Sequence, residues 1–119
     1  MLPALDEAVF ATFAQDLRSY PEALQFLADF DAMLTRRISR IGDALECGEG
    51  EETTTALLSL HASAAMAGAC ALQHSTAKAL TTIRCSGVSR GFADELVLQL
   101  TDQAQHFTRS YRAFRRGAL

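Results

Sequence analysis

The 119 residues read as an all-α protein, and two observations carry that expectation. Apolar residues recur three or four apart over long stretches, with almost no alternation of period two. Gly and Pro are few and clustered, so they mark the ends of those stretches instead of interrupting them. The number and spacing of the stretches predict an antiparallel four-helix bundle over residues 22–115, with an extra N-terminal helix at one end.

The first stretch, Leu5 to Ser19, sets Phe10, Phe13 and Leu17 on one stripe and places Asp6 and Glu7 in the first turn, at the positive end of the helix dipole. Pro21 is expected to end or reorient it. The second, Glu22 to Cys47, has the clearest period in the chain: Leu27, Phe30, Leu34, Ile38, Ile41 and Leu45 form one continuous seam. Gly48, Glu49 and Gly50 break it, and so short a connection sends the next helix back antiparallel. Thr53 or Thr54 is the expected N-cap of that helix.

The third stretch, Thr54 to about Ala67, carries Leu57, Leu60, Ala64 and Ala67, and a bend is expected near Gly68 to Cys70. A fourth, Ala71 to Arg84, carries Leu72, Leu80 and Ile83. Ser86, Gly87, Ser89 and Gly91 form the last loop. The final helix, Phe92 to Arg115, repeats the seam with Phe92, Leu96, Leu100, Phe107, Tyr111 and Phe114.

Length and composition bound the rest. A chain of this size buries roughly two-thirds of the surface that its unfolded form exposes, so 1–119 makes one domain without staples. Cys47, Cys70 and Cys85 are odd in number and contain no C-x-x-C pair, which reads as free thiols in a reducing compartment. There is no run of 18 apolar residues, and Asp6 and Glu7 stand where a signal peptide carries Lys or Arg. A cytoplasmic protein with no membrane contact is expected.

The net charge of −3 disfavours nucleic-acid partners. It is unevenly spread, with 11 acidic and 4 basic side chains in residues 1–60 against 3 and 7 in the remainder. The basic C-terminal residues Arg109, Arg112, Arg115 and Arg116 complement the negative end of the last helix dipole. Cys70 and His74, four apart, are two metal-ligand types on one face if that helix is continuous, but nothing at a suitable spacing completes a site.

His61 stands out within Leu57-Leu58-Ser59-Leu60-His61-Ala62-Ser63-Ala64-Ala65-Met66-Ala67-Gly68-Ala69. At 100° per residue it lies about 80° from the centre of the Leu57/Leu60/Ala64/Ala67 stripe, at the border of the core. Leu58, Ala65 and Gly68 neighbour it one turn away and make low ground around the ring. One reading is a border histidine beside small residues that permit close helix packing. The other is an imidazole presented to an approaching macromolecule.

The stretch resembles the signature of histidine-containing phosphotransfer (HPt) domains, which runs roughly A-H-x-L-K-G-x-A-x-x-x-G followed by Leu. His61 matches the histidine, Ala67 the small residue six later and Leu72 the leucine after the second glycine. Phe26-Leu27-Ala28-Asp29-Phe30 to Leu45 is similar to the family's long preceding helix, and Gly48 to Gly50 to its turn. The family's lysine is Ala64 here, its first glycine Ala65 and its second Ala71.

The resemblance implies a phosphocarrier in a two-component relay, with His61 as phosphoryl acceptor and Leu58, Ala62, Ala65 and Gly68 as the docking surface. A cation replacing the lysine is sought at the same height on neighbouring helices, where Arg37, Arg40 and Lys78 are the candidates. The implied partner is a response-regulator receiver domain or a hybrid histidine kinase, met by a monomer. No phosphate loop or paired acidic metal site occurs, so no cofactor, ATP site or enzymatic activity of its own is expected. A pseudo-HPt adaptor or inhibitor, binding such a partner without being phosphorylated, is the alternative.

Overall fold

The computed structural model describes residues 2–118, and these form five helices: α1 (Glu7–Leu17), α2 (Tyr20–Glu46), α3 (Gly50–Ala67), α4 (Cys70–Ser86) and α5 (Arg90–Ala118). The two end residues of the expected 1–119 domain lie outside the described residues. No strand occurs among those described, so the all-α expectation holds.

Capping explains where the helices start and corrects several expected boundaries. The Asp6 carboxylate accepts from Ala8 N and Val9 N at 3.0 and 3.3 Å and begins α1. Ser19 Oγ accepts from Glu22 N at 3.3 Å, and Pro21 lies in the first turn of α2, where its missing N–H costs no intrahelical bond. Pro21 therefore opens α2, which begins at Tyr20, two residues before the expected start at Glu22.

Gly48, at φ +70°, completes the reversal after α2, and α3 begins at once at Gly50. The expected Thr53 or Thr54 cap is thereby displaced. Thr53 is buried in the first turn, its hydroxyl donating to Glu49 O at 2.9 Å. The last loop shrinks to residues 87–89, because Ser89 Oγ accepts from Phe92 N at 3.2 Å and draws Gly91 into α5.

The seams read from the sequence form the core. Leu27, Phe30, Leu34, Ile38, Ile41 and Leu45 of α2 are all buried, as are Leu57, Leu60, Ala64 and Ala67 of α3. So are Leu96, Leu100, Phe107 and Tyr111 of α5, with Phe92 and Phe114 packed at the edge. Phe30 meets Phe107 edge-on at 5.1 Å across the core. Leu17, expected on the α1 stripe, is instead 40% exposed, because α1 is ending there and turns through Arg18 at φ 58°.

Among α2–α5 each helix packs on two of the other three: α3 on α2 and α4, and α5 on α2 and α4. The α3–α4 hairpin edge and the α2–α5 edge thus lie on opposite sides of the molecule. Helix α1 packs on α2 and α3, with Phe10 buried against Tyr20 and Phe114 at ring separations of 6.2 and 5.6 Å. It sits at the end where α2 begins and α5 finishes.

Candidate functional site

Helices α3 and α4 turn about Gly68 and Ala69, and that turn sets what faces His61. With the reversal centred between those two residues, position 76 comes level with position 61. The His61 Nδ1 lies 3.1 Å from Gln73 O and 3.2 Å from Thr76 Oγ1. A carbonyl oxygen only accepts, so Nδ1 carries the proton and donates it. Thr76 agrees with that assignment: its own hydroxyl proton is directed at Leu72 O (2.8 Å) or Gln73 O (2.9 Å), leaving the Thr oxygen to accept.

The ring is partly exposed, and Nε2 has no hydrogen-bond partner among the described residues. Proton placement on Nδ1 leaves the Nε2 lone pair free. The site therefore consists of one imidazole gripped on its inner nitrogen and open on its outer one. Gln73 and Thr76 were not among the residues read from the sequence. The hairpin register alone, applied to both height and helix phase, would have found them.

The ground around the ring is apolar and low. Leu58 is 51% exposed, Ala62 is exposed and Ala65 partly so. Gly68 does not belong to this surface. It is buried at φ +79°, its carbonyl accepts from Asp6 N at 2.7 Å, and a Cβ there would come within 2.5 Å of Asp6 O. The segment leading into α1 covers it, with Ala71 N also donating to Pro3 O at 3.2 Å.

The three cations sought in place of the family lysine also lie elsewhere. Arg37 Nη1 donates to Ser63 Oγ at 2.9 Å and reaches Ser59 Oγ and Ser59 O at 3.4 Å. Ser59 and Ser63 are each about 160° around α3 from His61, so this guanidinium serves the opposite flank. Arg40 binds Glu52, Nε to Oε1 at 2.7 Å, and Glu52 is about 180° from His61. Exposed Lys78 is about 170° around α4 from the mean direction of Gln73 and Thr76. Ala64, at the lysine position, is fully buried, where no ammonium could sit unpaired.

The remaining candidates stay apart from His61. Cys70 and His74 share the continuous helix α4, but no group of three or more metal-ligating side chains forms among the described residues. Burial, and secondarily the Asp6 carboxylate, push the Cys70 thiol above its ordinary pKa, away from the thiolate that binds metal or attacks disulfides. Arg109, Arg112, Arg115 and Arg116 are exposed along the second half of α5. No helix among the described residues is long and apolar enough to cross a membrane. The chain matches no protein-family model, no curated protein and no solved structure.

Proposed function

We propose that the protein is an HPt-like phosphocarrier, an antiparallel four-helix bundle of α2–α5 with α1 across one end, in which His61 accepts and passes on a phosphoryl group. The observation that carries the reading is the state of the imidazole: Nδ1 tied to Gln73 O, Nε2 free and facing outward. A nucleophilic imidazole requires that state, with one nitrogen protonated and held and the other keeping its lone pair toward an incoming partner.

In the proposed reaction Nε2 attacks the phosphorus of an aspartyl phosphate on a receiver domain. The N–P bond forms as the P–O bond to the aspartate breaks, and the carboxylate leaves with that electron pair. Positive charge grows on the ring, and the Gln73 carbonyl and Thr76 oxygen, already aimed at Nδ1–H, stabilise it without reorganisation. Metal and acidic residues belong to the receiver. Leu58, Ala62 and Ala65 supply a small apolar contact of the kind that transient partners use. Such a carrier works in the cytoplasm, beside receivers and hybrid kinases.

One observation favours the adaptor reading: among the described residues no cation forms a contact with the ring, and Arg37 and Arg40 are held on the far flank of α3. A phosphohistidine here would lack the charge partner that a lysine supplies. A single experiment separates the two. With a phosphorylated receiver domain, acid-labile, base-stable label is expected on Nε2 of His61 and is lost in His61→Gln, whose helical content stays that of wild type and whose stability falls by no more than about 1 kcal/mol, the worth of the Nδ1 hydrogen bonds of a partly exposed residue. Binding without label supports the adaptor. Neither label nor binding removes both readings.

A further inference from the structure

On the side of the molecule away from the α3–α4 hairpin, α2 and α5 run antiparallel and leave an open groove between them. Two cross-helix contacts fix their register: Gly42 faces Val97, where a glycine Cβ would lie 3.5 Å from the valine, and Thr108 Oγ1 donates to Asp31 at 2.6 Å. Leu34 and Ile38 of α2 and Val97 and Leu98 of α5 line the middle. Leu98 is 71% exposed, the most open large apolar side chain among the described residues.

Charge along the groove is split by end. Asp43, Glu46 and Asp94 crowd the end where α2 finishes and α5 begins, with Arg90 as the one cation lining it among the described residues. Arg109 and Arg112 hold the other end, where the one acidic lining residue among those described, Asp31, is engaged by Thr108. None of Asp43, Glu46, Asp94, Arg109 and Arg112 forms an ion pair among the described residues. The distance from Asp94 to Arg112 along the helix is about 27 Å, at 1.5 Å per residue. That is several times the roughly 8 Å screening length in physiological salt, so each end acts on a partner independently.

We infer that this face pairs with its own copy in a second chain, α5 against α5, antiparallel about a two-fold axis near residue 103. Reversing the face end for end sets Asp94 of one chain opposite Arg112 of the other, and does so twice. It also lays each chain's Arg109 over the partner's acidic end and covers both Leu98 side chains. A parallel arrangement would stack like charges at both ends. His61, on the opposite edge, stays open in such a dimer. The inference replaces the monomer expected from sequence, and it stands whether or not His61 carries phosphate.

Sedimentation equilibrium of the purified chain from about 5 to 500 µM, a span that covers weak association, tests this. A dimer is expected, weakened as salt is raised. Leu98→Glu, at so open a position, should leave helical content unchanged and abolish association. Asp94→Arg and Arg112→Asp should each weaken it about tenfold, because each replaces two favourable contacts by two repulsions. The double variant Asp94→Arg/Arg112→Asp should recover most of the loss. A monomer throughout the range would overturn the inference and leave the groove to a different chain. A dimer indifferent to Leu98→Glu would overturn it too, by placing the contact on another face.

Discussion

At the scale of single residues, the grip on His61 decides what the site can do. Thr76→Val keeps the shape of a fully buried side chain but removes one acceptor from Nδ1–H, at a cost near 1 kcal/mol in stability. Gln73 O remains, so the inner-proton tautomer should weaken without disappearing. We expect the 15N spectrum of the variant to show a larger fraction of Nε2–H imidazole and phosphoryl acceptance to slow in proportion. An unchanged tautomer ratio would show that Thr76 contributes packing alone. A second residue-scale prediction concerns the thiols: with its pKa raised by burial, Cys70 should be alkylated more slowly at pH 8 than the exposed Cys47 and Cys85, as mass spectrometry of a timed iodoacetamide reaction would report. The border position of His61 was legible in the sequence, because it follows from helix phase within a single element. The placement of Arg37, Arg40 and Lys78 was not, because height along a neighbouring helix was matched without the phase of both partners. Ser59, Ser63 and Glu52 all lie on the side of α3 that meets α2.

At the scale of elements, the turn between α3 and α4 positions the site, and one glycine makes it possible. Gly68 combines a left-handed backbone with a backbone oxygen of the α1 leader pressed into the space where a Cβ would stand. Gly48, in the turn before α3, has the same left-handed conformation and nothing within 4 Å. The pair separates two costs. Gly48→Ala should lose only the conformational term, about 1 kcal/mol. Gly68→Ala adds a clash with backbone that cannot swing aside, for a total of about 3 kcal/mol or more, and shifts α1. Thermal unfolding should therefore drop by roughly 4 °C in the first variant and by about three times that in the second. Equal drops would mean that the α1 leader yields freely. The helix–turn–helix itself was readable from the Gly and Ala pattern around residue 68. The covering of Gly68 was not, since it depends on residues some sixty positions earlier whose path no local pattern records.

At the scale of the whole molecule, the question is whether α1 is part of the same cooperative unit as α2–α5. Its connection is aromatic: Phe10 is 2% exposed and meets Phe13 of its own helix, Tyr20 at the start of α2 and Phe114 near the end of α5. Two backbone bonds add to it, Asp6 N to Gly68 O and Ala71 N to Pro3 O, which join the leader of α1 to the α3–α4 turn. Contacts that reach the ends of four other helices cannot be lost without loosening each of them. A single cooperative transition is therefore expected for a chain of this size. The protein has no tryptophan and two tyrosines, Tyr20 at the α1 interface and Tyr111 in the core, so fluorescence of a Tyr111→Phe background reports α1. Fluorescence and far-ultraviolet circular dichroism should trace one urea curve. Phe10→Ala, which empties an aromatic-sized volume, should lower the unfolding free energy by about 3–5 kcal/mol and so move that curve to lower urea, while the two signals still coincide. If α1 instead only rested on the others, fluorescence would change first and the dichroism midpoint would stay near that of the wild type. The His61 site would then be supported by α2–α5 alone, and Gly68 would be free of its cover in a fraction of molecules large enough to open the low ground beside the ring.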